Sequence, residues 1–143
     1  MPLRPATDDD LPRITALLRQ SALPVDDLAD ATVHFLLEDD DTELAGVIGL
    51  QRFDGVALLR SLAVAPAHRR GGLGGRLVAA LEARARDLGI TELVLLTQTA
   101  EAFFLRDDYQ RIRRDDAPAA VQASAEFRTL CPASAVCMAK RLP

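Results

Sequence analysis

The sequence lacks what disulfide scaffolds, membrane proteins and nucleic-acid-binding proteins need. It has only two cysteines, too few for a disulfide scaffold. No apolar run approaches the roughly 20 residues of a membrane span, and the first residues lack the apolar core of a signal peptide. The net charge is −4, whereas nucleic-acid binding usually needs a basic face. We therefore expect a cytoplasmic protein with no nucleic-acid and no membrane partner.

The composition is typical of a globular chain, because 49% of the 143 residues are hydrophobic and 27% are charged. The sequence shows no internal repeat, no low-complexity tract and no linker long enough to separate domains. A chain of this length buries roughly 70% of the surface of its unfolded state. We therefore predict a single domain over residues 1–143.

Apolar spacing predicts the elements of the first half of the chain. Thr7 can cap a helix whose apolar residues, from Leu11 to Leu18, recur at helical spacing. The run Val56–Val64 is almost continuously apolar, as a central strand buried on both faces must be. The other elements predicted here are a strand over Met1–Ala6, a helix over Val25–Ala31, and strands over Val33–Leu37 and Glu43–Phe53 joined by a turn at 38–41.

The second half of the sequence predicts a helix that connects two parallel strands. A helix that starts near Leu73 and ends at Gly89 connects the long apolar strand to a strand over Glu92–Thr97. On this helix we expect Glu82 and Arg86 on the outer face as an i,i+4 pair. The later predicted elements are a helix over Ala100–Leu105, a strand over Tyr109–Arg113, a helix over Pro118–Phe127 and a strand over Ala133–Arg141. The fold class is therefore α/β, with a mixed, mostly antiparallel sheet around a central parallel βαβ unit flanked by helices.

The segment Arg69–Arg76 contains four glycines between the long strand and the helix. Glycines let the backbone approach a ligand and aim several N–H groups at one point, and the helix adds the positive end of its dipole. A P-loop would need Gly-Lys-Ser/Thr where Arg76-Leu77 stands. A dinucleotide fold would place the glycines in its first βα unit. The pattern therefore favours the pyrophosphate of coenzyme A, with a plain strand-to-helix turn as the alternative.

The residues Val64-x-Pro66-x-His68-Arg69-Arg70-Gly71-Gly72-Leu73-Gly74 resemble the coenzyme-A signature of the GNAT acetyltransferases, Arg/Gln-x-x-Gly-x-Gly. Arg69, Gly72 and Gly74 carry the motif, and only the order Arg70-Gly71 departs from the usual pattern. The resemblance implies the acyl-CoA N-acyltransferase fold and acetyl-CoA as cosubstrate. The implied coenzyme-binding residues are Leu62, Ala63 and Val64 on the strand and Arg69, Arg70, Gly71, Gly72, Leu73, Gly74, Gly75 and Arg76 in the loop.

A narrower resemblance involves Thr99–Phe104 and the tail Phe127–Met138, which are similar to GNAT proteins of arsenic-resistance gene clusters. It implies N-acetylation of a small amine-bearing molecule, for example an amino-acid-like compound or an organoarsenical toxin.

Acetyl transfer needs a neutral amine, a polarised thioester carbonyl and a proton for the leaving thiolate. In similar enzymes a tyrosine supplies that proton, but Phe104 stands at the corresponding position. The candidate catalytic residues are therefore Tyr109, Thr99 and Glu101. Tyr109 also fits a core position. Thr97 or a water molecule for the proton, and Glu43 or Asp54 for the base, remain alternatives.

Arg60 is a cation within an apolar strand, and a buried charge needs a partner or a ligand. One interpretation is an ion pair with an acid of the segment Glu38–Glu43. The other is a clamp for a carboxylate or oxyanion of the acceptor, which makes Arg60 and its neighbour Ser61 candidate substrate-binding residues.

The cysteines and histidines point to no further chemistry. Cys131 and Cys137 fit inert packing better than a soft-metal site, because no histidine is near them in the sequence, and we predict no metal. His68 is placed near the coenzyme phosphates and His34 in a strand.

The leading hypothesis is an acetyl-CoA-dependent N-acetyltransferase that works by direct attack in a ternary complex. The alternatives are a catalytically inactive acyl-CoA-binding sensor or scaffold of the same fold, and an interaction module in which the glycines only turn the chain. A homodimer is expected by analogy with similar proteins that pair through late strands.

Overall fold

A seven-stranded sheet forms the centre of the protein in a computed structural model that describes residues 3–28, 32–40 and 43–143. The strands are, in chain order, β1 (Arg4–Pro5), β2 (His34–Asp40), β3 (Glu43–Phe53), β4 (Val56–Val64), β5 (Glu92–Thr97), β6 (Gln110–Ile112) and β7 (Val136–Arg141). Their spatial order is β1-β2-β3-β4-β5-β7-β6. All neighbouring strands are antiparallel except β4 and β5, which are parallel. The predicted fold class is confirmed.

Within the described ranges, four α-helices accompany the sheet: α1 (Leu11–Gln20), α2 (Leu73–Asp87), α3 (Glu101–Arg106) and α4 (Ala119–Gln122). The first two cover opposite faces, since Val47 belongs to the apolar cluster around α1 and its neighbour Ile48 to the cluster around α2. Glycine at position 46 lets α2 sit close to the sheet, because a Cβ there would come within 3.0 Å of the side chains of Leu73 and Leu77. None of the helices described by the structure combines the length and the apolar character needed to cross a bilayer.

The predicted bounds of β4, β5 and β3 are confirmed, and α2 begins at the predicted residue. The turn expected at 38–41 is wrong over Glu38–Asp40, because β2 continues with a register shift until Asp40 lies opposite Glu43. Arg4 binds Asp39 and His68 binds Asp40, so the acidic residues at this end of the strand have cationic partners or donors. Asp41 lies outside the described residues.

The helical segment after residue 117 is interrupted, whereas the sequence predicts one continuous helix. The helix expected over Pro118–Phe127 is the short α4 followed by a separate, wide helical turn at Glu126–Leu130. The Ser124 hydroxyl donates to the carbonyl of Val121 and accepts from the amide of Phe127. Such side-chain bonds compete with helix continuation.

Other elements also differ from their predicted bounds: α3 is shifted by one residue from Ala100–Leu105, and β6 is shorter than Tyr109–Arg113. The last strand starts at Val136 rather than at Ala133. Of the helix predicted at Val25–Ala31, the described part up to Leu28 is a turn and the rest lies outside the described residues, as do Met1 and Pro2 of the first predicted strand.

Candidate acetyl-transfer site

A cleft opens where the two parallel strands separate. β4 and β5 pair only from Val56–Leu58 against Glu92–Val94. Beyond that point β4 contains an irregularity in its pairing with β3, and Ser61 within it has a φ of 59°. A bulge of this kind bends a strand away from its neighbour. The resulting cleft has a volume of about 460 Å³ and is lined by residues 59–62 of β4 and 95–100 of β5 and the segment after it.

The glycine loop lies at the end of β4 and presents unused N–H groups. Gly72, which precedes the first residue of α2, has a φ of 77° that favours glycine. No described residue accepts a hydrogen bond from the main-chain N–H groups of Arg70 to Gly75, and the first amide that bonds back to this loop is Arg76, to the carbonyl of Gly72 at 3.1 Å. The loop therefore offers the donors that a pyrophosphate needs.

The basic side chains around this loop have different partners. Arg69 Nε donates to the carbonyl of Val64 at 3.1 Å, and Arg76 Nη1 donates to Glu38 Oε1 at 2.9 Å. His68 Nε2 lies 2.7 Å from Asp40 Oδ2, so the histidine predicted near phosphates pairs with a carboxylate instead. Arg70 is exposed and has no ion pair among the described residues. Of the predicted cations, Arg70 is the one left to reach a phosphate without giving up a partner.

Of the other predicted coenzyme residues, only Leu62 is on the cleft wall. Ala63 and Val64 continue β4 toward the loop. A Cβ on Gly74 would lie 3.7 Å from the ring of Phe103 and 4.0 Å from Val64. The glycine therefore faces the gap between the end of β4 and α3.

Tyr109 is a core residue. It is 1% exposed, and its hydroxyl donates to Glu82 Oε2 at 2.9 Å. Lys140 Nζ also donates to this carboxylate, at 3.1 Å to each oxygen. Burial, followed by the charge of Glu82, raises the pKa of Tyr109 far above its ordinary value. This geometry does not support the predicted role as proton donor, because the hydroxyl is away from the cleft wall and already donates to a carboxylate.

Glu82 itself corrects an expectation. The i,i+4 spacing predicts an exposed pair with Arg86, but Glu82 is buried, and the distance from Arg86 Nη2 to Glu82 Oε1 is 3.9 Å. Its closest partners, Tyr109 and Lys140, are on other elements.

The two remaining catalytic candidates differ in position. Thr99 is on the cleft wall and exposed. Glu101 is not on that wall and lies 3.3 Å from Arg111 Nε in an ion pair. Phe104 does line the cleft, with its ring edge-on to Tyr109. The alternative bases Glu43 and Asp54 lie outside the cleft wall.

Arg60 lies at the cleft with its guanidinium fully buried. Its Nη1 and Nη2 donate to the two oxygens of Asp27 at 2.6 and 2.7 Å, and Nη1 also donates to Gln51 Oε1 at 3.0 Å. Nε lies 3.3 Å from Ser61 Oγ, to which it donates. The expected ion pair exists, but the predicted partner segment Glu38–Glu43 is wrong: Asp27, in the connection after α1, takes that place.

Glu126 is a cleft residue that sequence reasoning missed. It begins the wide helical turn, and its Oε1 lies 3.5 Å from Arg60 Nε. Burial raises the pKa of Glu126 to about 7, with the Arg60 charge opposing and the Asp27 charge adding to the shift. The sequence contains no signal for this position. A continuous helix over Pro118–Phe127, as predicted, does not indicate which way the Glu126 side chain points.

The two thiols show no sign of activation. Cys131 is on the cleft wall and Cys137 is buried in β7, and neither is in a disulfide. Burial raises the pKa of each thiol to about 11. Both thiols therefore stay protonated at neutral pH, and a thiolate nucleophile or metal ligand is disfavoured.

Comparison with known proteins assigns this architecture. The chain matches the Acetyltransferase (GNAT) family over residues 4–111. It is 32% identical over 129 residues to the amino-acid acetyltransferase of Ralstonia nicotianae, a match that covers 81% of this chain and 28% of the relative. The chain therefore spans little more than a quarter of the length of that relative.

Solved structures agree on the fold. N-acetylglutamate synthase from Neisseria gonorrhoeae, complexed with coenzyme A and L-arginine, is 26% identical with a TM-score of 0.80, over 99% of this chain and 33% of that one. A Mycobacterium tuberculosis protein in complex with CoA is 24% identical with a TM-score of 0.81, over 100% of both chains. The chain thus belongs to the GNAT acetyltransferase family, as the resemblance of its glycine loop predicted.

Proposed function

We propose that the protein transfers the acetyl group of acetyl-CoA to the amine of a small molecule in a ternary complex. The observation that carries this proposal is the cleft between β4 and β5, whose wall includes Arg60 and Glu126, together with the unused amides of the glycine loop at the end of β4. The amine nitrogen attacks the thioester carbonyl carbon, a C–N bond forms and the C–S bond breaks. The amine loses a proton to solvent or a base, and the thiolate gains one.

The coenzyme follows β4 in this proposal. Main-chain N–H groups from Arg70 to Gly75 hold the pyrophosphate, and the edge of Leu62–Val64 pairs with the pantetheine arm. Beyond Leu58 this edge has no strand partner among the described residues, and at its far end the Val64 carbonyl accepts a hydrogen bond from Arg69 Nε. A main-chain N–H at the irregular part of β4 polarises the thioester carbonyl, which requires no side chain.

The acceptor is a small amine in this proposal, since a cleft of about 460 Å³ falls in the usual range for small-molecule sites. An amino-acid-like compound is the first candidate, supported by the amino-acid acetyltransferase of Ralstonia nicotianae among the relatives. The organoarsenical analogues implied by the narrower resemblance belong to the same chemical class. A cytoplasmic location and a homodimer remain predictions.

A catalytically inactive acyl-CoA sensor or scaffold is the second candidate. The observation that favours it is the absence of an evident proton donor, because Phe104 lines the cleft and Tyr109 donates to Glu82.

Calorimetry with acetyl-CoA tests the placement of the coenzyme. Gly74→Val fills the gap between Val64 and Phe103, and we expect affinity to fall about tenfold or more, equivalent to about 1.4 kcal/mol. Gly55→Ala is the matched control, since a Cβ there meets no atom within 4 Å and the residue lies in the turn between β3 and β4. Unchanged affinity in the Gly74 variant would show that the loop is misplaced.

A thiol-release assay then separates the two candidate functions. Wild-type protein and acetyl-CoA are incubated with amino acids, their amides, simple amines and amino-acid-like arsenicals. Turnover of any acceptor supports the acetyltransferase. Tight acetyl-CoA binding with no turnover across the panel supports the sensor.

A further inference from the structure

Glu126 differs from the other carboxylates near the cleft in its surroundings. The residue is 4% exposed, yet it is on the cleft wall. No described residue donates a hydrogen bond to its carboxylate within normal geometry; the nearest cationic atom is Arg60 Nε at 3.5 Å. A buried carboxylate normally accepts hydrogen bonds. Glu126 therefore has acceptor capacity available for a molecule in the cleft.

The positive charge near Glu126 is not enough to neutralise its carboxylate. Arg60, on β4, is engaged by both oxygens of Asp27, so one cation serves two acids. The other titratable side chains among the described residues of the cleft wall are Cys131, whose pKa is raised by burial and by the charge of Glu126, and Asp26. Arg60 is the only basic side chain among the described residues of that wall. An entering ammonium group thus meets a spare carboxylate, whereas an entering carboxylate meets a guanidinium already bound to Asp27.

The raised pKa of Glu126 also makes its carboxylate suitable for taking up a proton. Its pKa of about 7, raised by burial, allows it to be ionised in a large share of molecules at neutral pH. A base with a pKa near the working pH is the most effective one for proton transfer. A surface glutamate, with a pKa near 4.3, is a weaker base by more than two orders of magnitude.

We propose that Glu126 binds the ammonium group of the acceptor and takes one of its protons before acetyl transfer. This inference rests on the proposed acetyltransferase function. One N–H bond of the ammonium breaks and an O–H bond forms on Glu126. The freed lone pair attacks the thioester carbonyl carbon, the C–N bond forms and the C–S bond breaks. The nitrogen then loses a second proton to solvent, and the thiolate takes one from solvent. Glu126 finally releases its proton to solvent.

The test compares Glu126→Gln with the wild type in steady-state acetylation of the best acceptor from the panel, between pH 6 and 9.5. The amide has nearly the same shape but cannot accept the proton. We expect kcat/KM to fall about 100-fold at pH 7 and the wild-type inflection near pH 7 to disappear. The deficit should shrink as the pH approaches the pKa of the free acceptor, because the amine then enters already neutral. Glu126→Asp should recover part of the rate.

Two controls keep a structural effect apart from a chemical one. Acetyl-CoA affinity, measured by calorimetry, should be unchanged in Glu126→Gln. Asp10→Asn removes another carboxylate that is 4% exposed and bound to arginine, but lies at the N-terminal end of α1, away from the cleft. Its pH profile should match that of the wild type.

Three results overturn the proposal. An equal loss in Glu126→Gln at every pH would assign the residue a structural role. A rate within about threefold of the wild type with the same inflection would show that another group accepts the proton. Absence of turnover by the wild type with every amine would remove the proposed function and this inference together, and is thereby distinguishable from failure of the inference alone.

Discussion

Two clusters of arginine and carboxylate in this protein have opposite effects on their acids. At the N-terminal edge, Asp10 accepts from Arg4 at 2.9 Å, from Arg13 at 2.6 Å and from the Thr7 amide at 2.8 Å. Hydrogen bonds from Arg4, then from Thr7, hold the pKa of Asp10 well below its usual range. In the cleft, burial raises the pKa of Glu126 to about 7. Both acids are 4% exposed.

The opposite shifts at equal exposure have two causes: hydrogen bonds dominate at Asp10, near the protein surface, whereas desolvation dominates at Glu126, which lies deeper and has fewer donors. The edge cluster has two guanidinium groups for Asp10 and Asp39, and the pKa of Asp39 is also lowered, chiefly by Arg4. The cleft cluster has one guanidinium for Asp27 and Glu126. Burial disfavours the charged form unless hydrogen bonds and opposite charge replace the lost water. The edge cluster is built for stability, and the cleft cluster retains an acid that is costly to ionise.

Removing the cation from the cleft cluster should have the largest effect on stability. Arg60→Met leaves Asp27 without its bidentate partner and Glu126 without its nearest positive charge. We expect the free energy of unfolding to fall by about 3–5 kcal/mol at pH 8, as measured by urea titration, because a buried charge becomes uncompensated. The loss should be smaller at pH 5, where Glu126 is protonated. A loss below about 1 kcal/mol at pH 8 would contradict the buried pair.

Removing the spare acid from the same cluster should have the opposite sign. Because the folded pKa of Glu126 is raised, the folded state binds more protons than the unfolded state between about pH 4.5 and 7. The stability of the wild type is therefore lost as the pH rises through this window. Glu126→Gln avoids the cost and should be up to about 3 kcal/mol more stable than the wild type at pH 8.

The pH dependence provides the control for this variant. The difference in unfolding free energy between Glu126→Gln and the wild type should vanish below about pH 4.5, where the glutamate is neutral in both states. A constant difference at pH 4 and pH 8 would mean that the substitution acts through packing. A gain in stability with a loss of acetylation would fit a functional residue retained at the expense of stability.

The sheet and the glycine loop could be predicted because their signals are local. The apolar run Val56–Val64 and the glycines that follow it determine a buried strand and a turn with free amides, whatever the rest of the chain does. The expected bounds of β4 and β5 agree with the structure for this reason. The residue types also predicted that Arg60 needs a partner, since a cation in an apolar strand must be neutralised.

The identity of the partners could not be predicted because it depends on distant contacts. Asp27 is 33 positions from Arg60, in a connection without periodic pattern. Glu82 has the spacing of a solvent-exposed ion pair, but Tyr109 and Lys140, 27 and 58 positions away, bury it. Glu126 faces the cleft because the chain leaves the helical path after α4. Local propensity does not report where such a break occurs.

Among these variants, the one in the edge cluster should change the unfolding free energy least. Its change should be a loss of stability, opposite to the gain expected for Glu126→Gln in the cleft. Asp10→Asn removes the charge that Arg4 and Arg13 bind, and we expect a loss of about 2 kcal/mol in unfolding free energy at pH 7. Asp9→Asn, on the neighbouring exposed residue, should change stability by less than about 0.5 kcal/mol.

Acid should remove the difference between Asp10→Asn and the wild type. The folded pKa of Asp10 is depressed, so its contribution is present above the unfolded value of about 4 and is lost as the pH falls through the folded pKa. The stability advantage of the wild type over Asp10→Asn should therefore decline from pH 5 downward, whereas its disadvantage relative to Glu126→Gln grows from pH 4.5 upward. If both differences moved in the same direction with pH, the pKa values of the two carboxyl groups would not be shifted in opposite directions.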